Sequence, residues 1–334
     1  MFAETKLGTE EVTTMKAIGW PHSGATTGAQ LFEIATPKPG RGQVRVRVVS
    51  SAVNPADGKI ANGEFAGRLL HARVSPLVAG YDFSGVIESC GEDVGDLKPG
   101  DEVFGFLAYS SATRQGAFAE MLTANRGEIA RKPAGVSHET AAAAATPGAT
   151  ALQFLRDLGR LHEGGRVLII GAAGGVGSLA VGIAKRLQAQ VTAVCSTYAV
   201  DFVRGLGADE IVDRRKQDPL TVPGPFDVIF DAATAHSYLA CRRQLAKTGS
   251  YVPTLPSTGL LVGMALAAFS SQRCAFAAVK SAAKDLEQVA AWLLDGLQAP
   301  IEARFPVREL GAAMDRFAKG ELRGRVVVQV EGGF

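Results

Sequence analysis

Residues 166–198, RVLIIGAAGGVGSLAVGIAKRLQAQVTAVCSTY, constrain this chain more than any other stretch. Apolar residues at 167–170 run into a glycine cluster at Gly171, Gly174, Gly175 and Gly177. A segment with Leu179, Val181, Ile183, Ala184 and Leu187 at helical spacing follows, then a second buried-strand pattern at 191–195. Strand, glycine turn, helix and strand in that order form the βαβ unit that holds a dinucleotide. The glycines let the backbone approach a pyrophosphate, and the helix N-terminus offers it unpaired N–H groups and a positive dipole end. The fingerprint is A-x-G-x-x-G, through Ala172, Gly174 and Gly177. Such a turn can also serve only to pack a helix tightly on a sheet. The flanking strands favour the nucleotide site, formed by Ala173, Gly174, Gly175, Val176 and Gly177.

Strand patterns recur at 210–213, 227–231 and 250–254, at intervals of roughly 20 residues, which is the rhythm of a doubly wound parallel sheet. Before them, Ser137 is placed to N-cap an alanine-rich helix that Pro147 is expected to halt, with a second helix from Ala149. Residues 15–135 have another texture. MKAIGW, QVRVRVVSSAVN, YDFSGVIESCG, DEVFGFL and FAEMLTA are strand-like, with Val44, Val46 and Val48 inward and Arg45 and Arg47 outward. No helix-length period interrupts them, so this part reads as an antiparallel, barrel-like β domain. Residues 256–278 are apolar without a clear period, 284–294 and 307–319 read as helices, and 325–330 as a closing strand. The terminal helix and strand are expected to complete the β domain. It is then split in sequence, 1–136 with 283–334, around an inserted nucleotide domain at 137–282.

The chain has 334 residues, room for two domains, and a net charge of +2. Its densest basic cluster, Arg214-Arg215-Lys216, is no footprint for nucleic acid. The longest apolar run, near 260–269, is too short to span a bilayer. The polar N-terminus has no apolar signal core, so the expected location is cytoplasmic. Cys90, Cys195, Cys241 and Cys274 form no C-x-x-C pair, and His22, His71, His138, His162 and His236 are scattered. Neither a disulfide framework nor a metal site is expected.

Taken together, NPADGKI (54–60), GYDFSGVIESCGEDVGDLKPGDEVFGF (80–106), GAFAEM (116–121), TALQ after Pro147, GAAGGVG (171–177), LGADEIVD (206–213), FDVIFDA (226–232) and RGRVVVQV (323–330) resemble the medium-chain dehydrogenase/reductase superfamily. The resemblance is to its zinc-free quinone oxidoreductase and alkenal reductase branch, and it runs from Met15 almost to the end. It implies a GroES-like β domain, a Rossmann domain (an α/β fold overall) and a nicotinamide cofactor in the cleft between them. In zinc-dependent relatives a cysteine ligand falls at Val53-Asn54 and a Gly-His-Glu at Gly80-Tyr81-Asp82. Neither metal-binding side chain is present here, which favours reduction of quinones or activated double bonds over alcohol oxidation.

NAD recognition needs a carboxylate near the end of the second strand. Cys195, Ser196 and Thr197 stand there instead, so NADPH is the expected cofactor. Relatives often carry a cation at Tyr198. Its absence shifts the 2′-phosphate partner to Arg214, at the end of the next strand, together with Ser196; Arg204 and Arg215 are less favoured. By resemblance Asn54 lies beside the nicotinamide and Thr150 near the cofactor at the domain junction; Thr254 is a further cofactor-binding candidate. Lys59, in the same loop as Asn54, is either a donor to the developing enolate oxygen or a surface lysine. Asp57 either orients Lys59 or caps the turn. Tyr81 is either a substrate-wall hydroxyl or a core tyrosine, and Tyr109 and Arg114 are weaker candidates to cover the nicotinamide. An enoyl-thioester reductase and a non-catalytic NADPH-binding scaffold are the rival readings. The scaffold reading predicts cofactor binding with no acceptor reduced. A homodimer is expected, with the strand at 250–254 and the apolar segment 255–269 as interface or pocket wall. Arg68, His71 and Arg73 meet either an acidic substrate tail or solvent.

Overall fold

The structure, a computed structural model, describes residues 13–25, 28–64, 74–108 and 115–334. The roles considered for Arg68, His71, Arg73, Tyr109 and Arg114 lie outside the described residues.

The N-terminal part holds β1 (Thr14–Gly19), β2 (Gln30–Ala35), β3 (Gln43–Ala52), the short helix α1 (Pro55–Ala61), β4 (Asp82–Cys90), β5 (Glu102–Phe106), β6 (Met121–Asn125) and β7 (Ile129–Arg131). Helix α2 (His138–Leu152) leads to β8 (Arg166–Ile170), α3 (Gly175–Arg186), β9 (Gln190–Cys195), α4 (Val200–Gly205) and β10 (Glu210–Asp213). Then come β11 (Phe226–Asp231), α5 (Tyr238–Cys241), β12 (Leu245–Pro253), α6 (Thr258–Ala267) and β13 (Arg273–Cys274). The chain closes with α7 (Ala283–Leu294), β14 (Ile301–Pro306), α8 (Leu310–Ala318) and β15 (Arg325–Gln329).

Six parallel strands lie in the order β10-β9-β8-β11-β12-β13. Counted from β8, this is the 3-2-1-4-5-6 order of a doubly wound sheet, whose strand order reverses between β8 and β11. Ligands bind outside the carboxyl ends of the strands at such a reversal. Val167, Leu168 and Ile169 are all fully buried. A parallel strand covered by helices on both faces requires this continuous apolar run.

The second sheet runs β14-β15-β3-β4-β5-β7, with β6 also on β3. Val44, Val46 and Val48 fill its core while Arg45 pairs outward with Glu88 and Arg47 with Glu331. Closing strand β15 is antiparallel to β3, but β14 and β15 are parallel to each other, so the sheet is not wholly antiparallel as expected. Helix α7 packs Leu286 and Val289 into the core around the parallel sheet.

Three local expectations need correction. Residues 55–61 form a helix, not a loop: Pro55 pre-sets the first turn, and the Asp57 side chain accepts the Asn54 N–H at 2.7 Å. A helix this short shows no period in sequence. Pro147 does not halt α2, which continues through it into a π-turn at Gln153–Leu158. Residues 141–152 are buried on every side, so tertiary packing outweighs the lost ladder hydrogen bond. Residues 256–278 contain α6 and the edge strand β13; α6 is apolar all round, which hid its period. No helix among the described residues is long and apolar enough to cross a membrane.

Candidate functional site

A cavity of about 750 Å³ opens at the carboxyl ends of β8, β9 and β11. That size lies within the range of cofactor sites. Its walls include Gly171, Ala173 and Gly174 after β8, Cys195 at the end of β9 with Ser196 and Tyr198 after it, Arg214 after β10, and Ala233 and His236 after β11. Phe317, in the last turn of α8, and Glu321 and Leu322, in the segment joining α8 to β15, face it from the other sheet's side.

The glycine turn fits a dinucleotide's phosphates. Gly171 has φ +84°, a left-handed conformation that disfavours a side chain. A Cβ on Gly177 would stand 2.1 Å from the Gly171 carbonyl oxygen, so only glycine lets α3 start this close to β8. Gly174 is the N-cap of α3, with no side-chain cap on the first-turn N–H groups. Those N–H groups and the helix dipole can hold an anion there. Gly175, Val176 and Gly177 form that first turn.

At the far end, β9 and β10 are in parallel register with Asp213 beside Cys195. The residues that follow, Arg214 and Ser196, therefore fall side by side, and Arg214 Nε donates to Ser196 Oγ at 2.8 Å. The serine then keeps its own proton to donate, and the guanidinium its terminal nitrogens. Burial pushes the Cys195 thiol up to about 11, so it is neutral. Absence of a carboxylate at 195–197 does not leave the region free of one. Thr197 Oγ1 donates to Asp213 Oδ2 at 2.7 Å, and this bond holds the Asp213 carboxyl below its usual range. Tyr198 is exposed and donates to the Leu322 carbonyl at 3.4 Å, bridging the two walls.

The remaining sequence candidates are not on these walls. Asn54 is 4% exposed, its amide held between Asp82, Ala52 and Arg325. Thr150 is buried and donates to the Thr146 carbonyl at 2.7 Å. Thr254 donates to the Ala232 carbonyl at 3.1 Å and so braces the turn after β11. Lys59 is exposed on α1. Asp57 does not orient it: its two oxygens accept the N–H groups of Asn54 and Gly80. Tyr81 is 3% exposed and belongs to the apolar core of the β-rich part, which, with Asp57, raises its hydroxyl pKa.

Sequence reasoning passed over Asp82, Asp231, Glu321 and Arg325. Asp231, fully buried at the end of β11, accepts from the N–H groups of Ala235 and His236 and from the Tyr251 hydroxyl, fixing the turn that walls the cavity. Its place at the carboxyl end of a parallel strand was the available signal. Arg325 carried none, because it reads as one basic residue of a closing strand. Among the described residues, no three His, Cys, Asp or Glu side chains converge as metal ligands.

Two family models match the chain: an alcohol dehydrogenase GroES-like domain over residues 40–146 and a zinc-binding dehydrogenase over residues 206–328. The mitochondrial NAD(P)H oxidoreductase RTN4IP1 of Bos taurus is 31% identical over 86% of this chain and 82% of its own. The trans-enoyl reductase pgmF of Aspergillus terreus is 30% identical over 96% and 97%. The quinone oxidoreductase structure from Coxiella burnetii superposes with a TM-score of 0.86 at 28% identity, covering 95% of this chain and 100% of that one. The architecture is thus a GroES-like domain plus a Rossmann-like nucleotide-binding domain. The chain belongs to the medium-chain dehydrogenase/reductase family, oxidoreductases that use a nicotinamide cofactor, in its quinone oxidoreductase branch.

Proposed function

We propose that the chain is an NADPH-dependent, zinc-independent reductase of quinones or α,β-unsaturated carbonyls. The observation that carries the NADPH reading is the Arg214–Ser196 hydrogen bond at the mouth of the cavity. It presents a cation and a free hydroxyl proton where NAD-specific sites carry a carboxylate. When bound, the reduced nicotinamide supplies a hydride. The chain's task is to hold the acceptor close and to stabilise charge on its carbonyl oxygen. Gly174, Gly175 and the α3 N-terminus hold the phosphates, while Thr150 and Asn54 frame the junction of the two parts. Lys59, exposed on α1, donates to the enolate oxygen, directly or through water. Asp82 stands where zinc-dependent relatives place a glutamate, and its carboxylate is spent on Arg325, Asn54 and Thr146. In this reading the cleft lies between residues 1–136 with 283–334 and residues 137–282, a division supported by the pairing of β15 with β3.

The trans-enoyl reductase relative favours one alternative acceptor, an enoyl thioester. NADPH oxidation at 340 nm against quinones, 2-alkenals, enones and crotonyl thioesters separates these acceptors. Tight NADPH binding with no acceptor reduced would instead favour a non-catalytic scaffold. Leu261, Val262, Met264 and Phe269 on and after α6 are exposed, Phe269 by 93%, which supports a homodimer testable by light scattering.

A further inference from the structure

A dense buried polar network lies off the cavity walls, around Asp82 at the start of β4. Its side chain is completely buried. Oδ1 accepts from the Thr146 N–H at 2.9 Å and from the Thr146 hydroxyl. Oδ2 accepts from Asn54 Nδ2 at 3.0 Å and from the Arg325 guanidinium. Arg325, 5% exposed, also donates from Nη1 to Asn54 Oδ1 at 3.0 Å. Burial raises the Asp82 carboxyl's pKa, and Arg325, Thr146 and Asn54 oppose that rise.

Four segments meet at this carboxylate: β4, the N-cap of α1, the turn of α2 just before Pro147, and the first residue of β15. Arg325 adds a fifth, the glycine loop. A Cβ on Gly175 would fall 2.5 Å from Arg325 Cδ, and the Gly324 N–H donates to the Ala173 carbonyl at 2.9 Å. The guanidinium stem thus lies on the first turn of α3, while its head grips Asn54 and Asp82.

We propose that Asp82 is a positioning residue which, through Arg325 and Asn54, fixes the glycine loop relative to α1 and so sets the distance and angle between bound cofactor and acceptor. This rests on the reading of the cleft as a nicotinamide site, and it deepens that reading. A buried ion pair is a poor device for stability alone, since apolar residues of similar volume often replace one at no cost. It is, however, directional in a way apolar contacts are not. With hydrogen bonds to both ends of the Asn54 amide, the network leaves that side chain one orientation. A displacement of about 1 Å at such a joint can cost on the order of 100-fold in rate.

The test is the double variant Asp82→Leu/Arg325→Met, with Arg325→Lys beside it. The lysine keeps a charge for Asp82 but gives up the two-pronged grip. Each is assayed for Tm, for NADPH affinity by fluorescence, and for kcat at saturating NADPH with whichever of the quinone, 2-alkenal, enone and crotonyl-thioester probes wild type reduces fastest. The expected result is a Tm within a few degrees of wild type, a Kd raised only a few-fold, and a kcat lowered about 10- to 100-fold in the double variant and less in the lysine variant. A folded double variant with wild-type kcat overturns the proposal. If the double variant fails to fold, the lysine variant decides in the same way. A wild-type chain that binds neither NADPH nor NADH, or that reduces none of these acceptors, overturns the functional reading itself, before any variant is made.

Discussion

Arg214 Nε and Ser196 Oγ are 2.8 Å apart because the register of β9 and β10 sets Asp213 beside Cys195 and so places the two following residues side by side. Hydrogen bonds to charged groups contribute about 1.5–3 kcal/mol each, and about 1.4 kcal/mol is tenfold in affinity. Arg214→Ala should therefore raise KM for NADPH about 10- to 100-fold while changing KM for NADH less than about threefold. Ser196→Ala should show the same asymmetry at smaller size. Steady-state kinetics with both cofactors measures it. An equal effect on both would remove Arg214 from phosphate recognition.

Gly177 is held by space rather than by conformation. A methyl group there would stand 2.1 Å from the Gly171 carbonyl oxygen, a backbone atom that cannot swing aside. Gly177→Ala should push α3 away from the end of β8, destabilise the fold by about 1–3 kcal/mol and weaken cofactor binding at least tenfold. Urea unfolding and cofactor titration report the two effects separately. Gly205→Ala is the control, since nothing lies within 4 Å of its added Cβ.

Five strands of the parallel sheet, β8 to β12, were legible because each holds a short apolar run, and the glycine turn because phosphate binding leaves few residue choices there, whereas edge strand β13 is only two residues long. The Ser196–Arg214 pairing was legible for a related reason: adjacent parallel strands end on the same side. What sequence hid was local or long-range. Helix α1 is too short to show a period, and the burial that carries α2 through Pro147 comes from elements distant in the chain. Asp213 reached Thr197 through strand pairing, so its carboxylate did not show in a reading of 195–197 alone. The Asp82 network joins residues 54, 82, 146 and 325, and no sequence spacing announces such a meeting.

Lys59 sits exposed on α1, two positions beyond the buried Asp57 and one before the buried Ile60. If its ammonium donates to the enolate oxygen, the interaction forms as charge develops and contributes to kcat rather than to cofactor binding. Lys59→Ala should then lower kcat on enones at least tenfold, with KM for NADPH unchanged within about twofold. Lys59→Arg should recover part of it. Unchanged kcat in Lys59→Ala would assign the lysine to the solvated surface.

Asp57 supplies a prediction about pH. It is fully buried, and that burial pushes its carboxyl pKa from 3.8 to about 7, against the Asn54 and Gly80 N–H bonds that lower it. The folded state therefore prefers the protonated acid. Between these two values the native chain keeps a proton that the unfolded chain has released, so stability falls as pH rises and the loss is complete above about 7. Between pH 5 and 8 this amounts to about 3 kcal/mol. Asp57→Asn cannot titrate. It should be less stable than wild type at pH 5, because its amide cannot accept both backbone N–H groups, and it should regain about 3 kcal/mol relative to wild type by pH 8. Urea unfolding of both proteins at the two pH values measures the difference. A wild-type-minus-variant stability that stays constant from pH 5 to 8 would show that Asp57 is already ionised in the fold.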